Sequence, residues 1–158
     1  MVTPLRRAHI ERVAALIGEW GTTMGVSAVE RDRWQRAAWW HDALRDAPLA
    51  GEMDHGPLAA DRLESEGERD RGVLDAIRYH SVGYAAWDDA GKMLYLADYL
   101  EPGRVHDLAE RSALRARVPL ERDTVLREVA RRRIARIVDS GWPLVPETVA
   151  FWNGLVSR

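Results

Sequence analysis

The chain has 158 residues, of which 46% are hydrophobic and 30% are charged, and it contains no cysteine. This balance is typical of a water-soluble globular protein with a substantial core. It excludes a disordered or membrane-spanning chain, and the lack of cysteine excludes disulfides and thiolate metal sites. A formal net charge of -2 at pH 7 provides no general attraction for nucleic acid or anionic lipid, so neither is expected as a partner.

The first predicted helix begins at residues 3–4, where a Thr-Pro pair is typical of a helix start. Apolar side chains then recur at three- and four-residue steps as far as Trp20, and His9 lies on the same face. The segment is charged from Arg6 onward and lacks the apolar core of a signal peptide, so we expect a cytoplasmic protein.

The second predicted helix carries an adjacent histidine and aspartate toward the interior. Ser27 and Glu30 have the spacing of a capping box, and the apolar positions that follow lead to His41. Adjacent helical side chains diverge by about a quarter turn, so His41 and Asp42 do not simply bond each other. A divalent cation would accept both groups and offset the cost of burying the charge. The alternative is an ordinary core histidine followed by a turn residue.

Two further histidines lie at predicted helix ends. A loop is expected over residues 45–56, and a helix then begins at Pro57 and stops at Gly67, which places His55 just before its start. The next amphipathic helix finishes at His80, on the apolar side. We therefore expect these two imidazoles to face the interior as well.

An isolated acid interrupts the next apolar helix. Asp88 or Asp89 is expected to cap it, Pro102 to stop it, and Asp98 lies among leucines and a methionine. A carboxylate in such surroundings needs a cation.

The remaining sequence is predicted to be structural. Helices are expected around residues 108–114, 121–139 and 146–156, with the run at 131–133 of three arginines on a solvated face. No alternating strand pattern of useful length occurs, so the predicted fold is an all-helical bundle.

Six residues form the predicted metal site. They are His9, His41, Asp42, His55, His80 and Asp98. Three of the histidines fall on apolar helix faces, where a chance distribution would place few, and this favours a shared cation held by nitrogen and oxygen ligands.

The order of these residues resembles that of the HD-domain phosphohydrolases, in which a histidine, a His-Asp pair and an aspartate occur in turn. The most similar members are the YqeK-like symmetrical bis(5'-nucleosyl)-tetraphosphatases, and the resemblance extends over nearly the whole chain. It is carried by RAH at 7–9, AAWWHD at 37–42, HG at 55–56, AIRYHSVG at 76–83, LADYLEPGR at 96–104 and Asn153.

The resemblance implies a single HD domain over residues 1–158 that cleaves diadenosine tetraphosphate to two ADP with a metal-activated water. It also implies iron or a similar transition metal, such as manganese. Because six ligands are more than one open catalytic ion usually takes, either one or two ions are expected, with Asp42 as the bridging and catalytic carboxylate. Only twelve residues separate Asp42 from His55, where the family has a longer segment, so substrate choice is the least certain inference.

Four residues near these motifs are predicted to contact substrate. Arg45, Lys92 and Arg104 carry the charge needed to bind phosphate, and the Ser81 hydroxyl could donate one hydrogen bond. Surface salt bridges are the alternative for the three cations.

Two other functions stay open. One is an HD hydrolase of a nucleoside monophosphate, a triphosphate or a guanosine alarmone, because metal ligands do not select the nucleoside. The other is a non-catalytic HD module that binds nucleotide. A homodimer is possible in each case.

Overall fold

Helices provide all the regular structure of the computed structural model, which describes residues 2–157. They are α1 (Pro4–Thr23), α2 (Ala28–Trp40), α3 (His55–Ser65), α4 (Arg71–Tyr79), α5 (Asp89–Leu100), α6 (Leu108–Asp139) and α7 (Pro146–Val156). No strand occurs within the described residues, so the predicted all-helical fold is confirmed. None of these helices is long and apolar enough to cross a membrane.

Polar side chains begin four of the helices. The Thr3 hydroxyl accepts a hydrogen bond at the start of α1 and the Ser27 hydroxyl does so at the start of α2. The carboxylates of Asp70 and Asp88 cap α4 and α5 in the same way. Each cap satisfies a backbone N–H that has no partner within its own helix. The predicted starts of α1, α2 and α5 are therefore confirmed, with Asp88 and not Asp89 as the cap of α5.

The centre of the bundle is α5, which packs against α1, α2, α4 and α6. Its buried residues lie all around the helix axis, as expected for a helix enclosed by others. Asp98 is the one carboxylate among them, at 8% exposure. The central position of α5 brings this aspartate within reach of four surrounding helices.

The two helices predicted between residues 108 and 139 occur as the two parts of α6, which meet at a kink where the second helix was predicted to begin. In α6 the backbone leaves helical geometry at Glu121 (φ -131, ψ 35), two residues after Pro119. Proline has no N–H to donate and its ring crowds the preceding turn, so Pro119 weakens the hydrogen bonding of α6 just before this kink. Beyond the kink α6 contacts α5, through Arg133 over the ring of Tyr95. The C-terminal part of the chain thus reaches the central helix.

Candidate metal centre

The six predicted metal ligands meet in the interior, between five helices. His9 comes from α1, His41 and Asp42 from the end of α2, His55 from the start of α3, His80 from the end of α4 and Asp98 from α5. All six are buried. Residues that are as many as 89 positions apart in sequence therefore share one small volume.

Helix ends orient two of the imidazoles. His41 follows the last residue of α2 and His80 follows the last residue of α4. Each Nδ1 donates to a carbonyl three residues back, His41 to Ala38 and His80 to Ile77, both at 2.7 Å. A neutral imidazole that gives its one hydrogen from Nδ1 has a free lone pair on Nε2. Both Nε2 atoms point into the cluster.

The other two imidazoles are fixed in the same manner. His55 Nδ1 donates to the Glu52 carbonyl at 2.9 Å, and His9 Nδ1 donates to the Glu101 carboxylate at 3.0 Å. These partners set the ring orientation and leave Nε2 directed inward, which is the arrangement of a typical metal-binding histidine.

The pair formed by His55 and His80 fits a cation between or beside its members. Their Nε2 atoms lie 3.1 Å apart, although both rings already use their hydrogens elsewhere. Two lone pairs at this distance repel unless a positive charge attracts both. Ligand atoms about 2.1 Å from a metal ion lie about 3.0 to 3.4 Å from each other, so the spacing suits a shared ion.

Asp42 lies between two histidine pairs and directs one oxygen to each. Its Oδ1 is 3.4 Å from His55 Nε2 and 3.3 Å from His80 Nε2. Its Oδ2 is 3.7 Å from His9 Nε2 and 3.8 Å from His41 Nε2. The ligand atoms therefore form two groups, and each group is close enough together to hold one ion of its own. The first group is His9, His41 and Asp42, and the second is Asp42, His55 and His80. The residues present therefore fit two divalent cations that share one carboxylate.

Asp98 adds a second carboxylate to the first group. Its Oδ1 lies 3.1 Å from His9 Nε2 and 3.9 Å from His41 Nε2. Burial alone would raise the pKa of Asp98, but the contacts with His9 and with nearby arginines lower it well below its usual range. Asp42 behaves likewise, because the neighbouring imidazoles outweigh burial and lower its pKa. Both acids are therefore ionised, as metal ligation requires.

The two histidines of the first group differ in charge. Burial lowers the pKa of His41 to about 4, so this ring is neutral at pH 7. Burial also acts against a charge on His9, but the hydrogen bonds to Asp98 and Glu101 outweigh it and raise its pKa to about 9. A proton on His9 and a metal ion are alternative ways to neutralise these carboxylates. A metal ion bound at this end would therefore displace the proton of His9.

Three of the four predicted substrate residues lie at the cluster. Arg104 donates from Nη2 to Asp98 Oδ1 at 3.0 Å, and Arg45 Nη1 lies 3.2 Å from His55 Nδ1, with both atoms directed at the Glu52 carbonyl. The Ser81 hydroxyl is 3.4 Å from His55 Nε2. These three residues are close enough to the predicted ligands to touch a molecule bound there.

Lys92 is the predicted residue that the structure does not bring to the cluster. It lies six positions before Asp98 on α5, which corresponds to about 9 Å along the axis and about 120° around it. Within residues 2–157, no hydrogen bond or ion pair joins its ammonium to a cluster residue.

Two arginines that sequence reasoning did not assign to the site also contact its carboxylates. Arg6 donates from Nη1 to Asp42 Oδ2 at 2.6 Å, and Arg133 Nη1 lies 3.7 Å from Asp98 Oδ2. The run at 131–133 was expected on a solvated face, and for Arg133 this was wrong. Arg133 comes four residues after Val129 and three after Ala130, so it lies on the same helix face as these buried apolar residues. That geometry was the available signal.

Glu101 is a further residue that was not assigned. It is 1% exposed, and besides His9 it accepts from Arg12 Nε at 2.6 Å and from the Gly103 N–H at 2.5 Å. Burial would raise the pKa of Glu101, but these bonds lower it to about 2. Glu101 comes three residues after Asp98, on the same helix face, and this spacing could have indicated that it lies near the site. Glu101 orients His9 and does not itself face the predicted ions.

The fold is all-helical, and its buried histidines and aspartates come together from several helices. These two features place the protein among the helical proteins that bind metal ions with histidine and aspartate side chains. The sequence profile of the HD domain matches residues 6–103, which is more than half of the chain. The chain therefore belongs to the HD domain family, as the motifs predicted.

Two relatives extend this result. The chain is 31% identical over 107 residues to a symmetrical bis(5'-nucleosyl)-tetraphosphatase of Bacillus subtilis, a match that covers 67% of this chain and 56% of the relative. It is 44% identical over 54 residues to the protein of the same name from Staphylococcus aureus, covering 34% of this chain and 28% of the relative. The matches thus span little more than half of these proteins at most. They confirm the relationship that the motifs predicted.

A solved structure has the same fold over almost the full chain. It is the crystal structure of a protein from Clostridium acetobutylicum that is described as a predicted HD superfamily hydrolase involved in NAD metabolism. The TM-score is 0.84, the identity is 22%, and the match covers 99% of this chain and 91% of the other. At this identity the likeness establishes the fold alone.

Proposed function

We propose that the chain is a metal-dependent phosphohydrolase that cleaves diadenosine tetraphosphate symmetrically and releases two ADP. One observation carries the proposal: Asp42 presents one carboxylate oxygen to each of two histidine pairs, next to arginine side chains. The names of the Bacillus and Staphylococcus relatives support the choice of substrate.

The proposed ligands divide into two sets that share Asp42. His9, His41, Asp42 and Asp98 would hold one ion, and Asp42, His55 and His80 would hold the other. When bound, such ions bring the pKa of a coordinated water from 15.7 to about 7 and offset charge on phosphoryl oxygens. Nitrogen and carboxylate ligands suit iron, and manganese is the next candidate.

Positive side chains lie near both ends of the cluster. Arg45 is next to His55 at one end, whereas Arg104 bonds Asp98 at the other. Symmetrical cleavage of a tetraphosphate places two phosphates on each side of the bond that breaks. Guanidinium groups on both sides would bind and orient these two halves, and this supports a substrate with charge on either side of the reacting phosphorus.

The test is product identification with metal-loaded protein and diadenosine tetraphosphate. Two ADP are expected, whereas ATP plus AMP would show asymmetrical cleavage and refute the proposal. The variant Asp42→Ala is expected to lose both bound metal and turnover, because it removes the shared carboxylate. An Asp42→Ala protein with full activity would also refute the proposal.

One observation favours a different nucleotide as a second candidate. Residues 43–54 contain turns and bends but no helix in the structure, and they lie beside Arg45 and His55. A short loop here could alter which nucleoside is accepted. A panel of nucleoside monophosphates, triphosphates and guanosine alarmones under the same conditions distinguishes this alternative.

Three further predictions complete the proposal. We expect residues 1–158 to act as a single HD domain, which the contact of Arg133 with the centre supports. A cytoplasmic location agrees with the absence of cysteine. A homodimer is to be tested by light scattering.

A further inference from the structure

Arg133 belongs to the part of α6 that follows the kink, outside the residues matched by the HD domain profile. Its guanidinium nevertheless lies at the centre. The Cζ atom is 4.3 Å from the centroid of the Tyr95 ring, and Nη2 donates to the Ser81 carbonyl at 3.4 Å. Nη1 is directed to the Asp98 side of the cluster, at 3.7 Å from Oδ2.

The Nη1 atom of Arg133 is buried and has no hydrogen-bond partner. The distance of 3.7 Å to Asp98 is too long for a hydrogen bond. The only other buried side-chain atom without a partner among residues 2–157 is Arg6 Nε, on the arginine that contacts Asp42. Both unpartnered donors therefore lie on arginines next to the two candidate carboxylate ligands. A buried donor on a charged group is unfavourable without an acceptor, so oxygen atoms of a bound ligand would stabilise this site.

The charges on this side of the cluster lead to the same conclusion. Within the described part of the chain, Arg12, Arg104 and Arg133 face two carboxylates, Asp98 and Glu101. Arg12 is bonded to Glu101, and Arg104 and Arg133 share the single negative charge of Asp98, so this side has one positive charge in excess. An anion with several oxygens would balance this charge and give Nη1 of Arg133 an acceptor.

We propose that Arg133 binds a phosphate group of the substrate on the Asp98 side of the metal centre. This deepens the proposed function and rests on it for the identity of the ligand, a nucleotide phosphate. The planar fork of a guanidinium matches the oxygens of a phosphate. Tyr95 and the Ser81 carbonyl hold the group in place before the ligand arrives, so little side-chain freedom is lost on binding.

The neighbouring Arg132 shows what a structural arginine in this helix looks like. It bonds Glu128 at 2.7 Å through Nε and also pairs with Glu110 through Nη1. Both partners belong to α6, so its positive charge is neutralised within the helix. Arg132 thus provides a matched control one position away.

The experiment measures binding of ADP and of inorganic pyrophosphate to the metal-loaded full chain by calorimetry. Arg133→Met keeps an unbranched apolar stem against Tyr95 and is expected to weaken ADP binding by about tenfold or more. Arg133→Lys keeps the positive charge but not the planar guanidinium. Its affinity for ADP is expected to lie between those of the unaltered protein and Arg133→Met. Bound metal should stay equal to that of the unaltered protein, and Arg132→Met should bind ADP normally.

Each other outcome overturns the inference. Unchanged ADP binding by Arg133→Met shows that the guanidinium does not touch phosphate, and loss of metal shows that it only positions Asp98. If Arg133→Met does not fold, Arg133→Lys decides, since unaltered binding by that variant refutes the proposal. An unaltered chain that binds neither ADP nor pyrophosphate refutes it as well. A different result would refute the proposed function alone. In that case the unaltered protein would bind ADP normally but would not cleave diadenosine tetraphosphate.

Discussion

His55 and His80 face each other with their Nε2 atoms 3.1 Å apart, and each ring donates its Nδ1 hydrogen to a backbone carbonyl. Each residue lies at a helix end, one at the start of α3 and the other just after α4, so the packing of these two helices creates the pair. With the Nδ1 hydrogens engaged in this way, each Nε2 of the neutral rings directs a lone pair toward the other. A metal ion bound by both nitrogens would relieve this repulsion, and the first prediction concerns that ion.

Replacement of His80 by alanine should remove one of the two proposed ions. The remaining ligands of that ion, Asp42 and His55, are too few to hold it in competition with water. We expect metal analysis to show one ion fewer per chain, with the second site still loaded. His106→Ala is the matched control, because this histidine is exposed and should leave the metal content unchanged. Equal metal content in the two variants would contradict the two-ion arrangement.

Replacement of Glu101 by glutamine should lower the affinity for the ion proposed at His9, although no proposed ligand is removed. The carboxylate accepts from His9 Nδ1 and sets both its orientation and its tautomer, whereas an amide does so without charge. Loss of such a supporting residue lowers metal affinity by about 10- to 100-fold.

The measurement for this variant is competition with a chelator of known affinity. Glu66→Gln serves as the control, since its salt bridge to Arg62 lies on the surface. A Glu101→Gln protein that retains full metal affinity would show that His9 is held by its packing alone.

A side chain at position 56 should destabilise the folded protein, because α3 and α4 meet closely at Gly56. A Cβ here would lie 2.9 Å from the Arg78 carbonyl oxygen and 3.0 Å from that of Ile77. We expect Gly56→Ala to reduce the free energy of unfolding by about 1 to 3 kcal/mol, since two backbone segments must move apart. Urea denaturation measures this difference.

Gly154 offers the opposite case within the same chain. A Cβ at this position of α7 would meet no atom within 4 Å. Gly154→Ala is expected to raise the free energy of unfolding by up to about 1 kcal/mol, through helix propensity. Equal effects of the two substitutions would contradict a destabilising contact at Gly56.

The ion pair between Asp70 and Arg33 should give the stability a dependence on acid pH. Arg33 donates to both carboxylate oxygens, from Nε at 2.6 Å and from Nη2 at 2.9 Å, and these bonds lower the pKa of Asp70 to about 2. A carboxyl with a lowered folded pKa stabilises the protein above its unfolded pKa, near 3.8, and this contribution is lost as the pH falls toward 2.

Asp70→Asn isolates this charge, because asparagine also caps a helix. At pH 7 the variant should be less stable by about 1 kcal/mol, after allowance for solvent screening of a partly exposed pair. The difference should narrow below pH 4. Thermal unfolding of both proteins between pH 7 and pH 3 tests this, and a difference that stays constant with pH would rule out the ion pair as its source.

The sequence by itself determined the helices and the residues most able to bind metal. Helix periodicity and capping are local, so the pattern before Trp20 and the cap at Ser27 predict the same elements that the structure contains. A histidine on an apolar face, such as His9 or His41, is unfavourable without a partner, and this made the cluster predictable before its geometry was known.

Only the tertiary structure decided how the side chains meet. Contacts between helices distant in sequence place Asp42 between both histidine pairs and bring Arg133 to the centre of the bundle. They also leave Lys92 away from the metal cluster. Helix packing sets these relationships through the combined shape of many side chains, which no local pattern in the chain records.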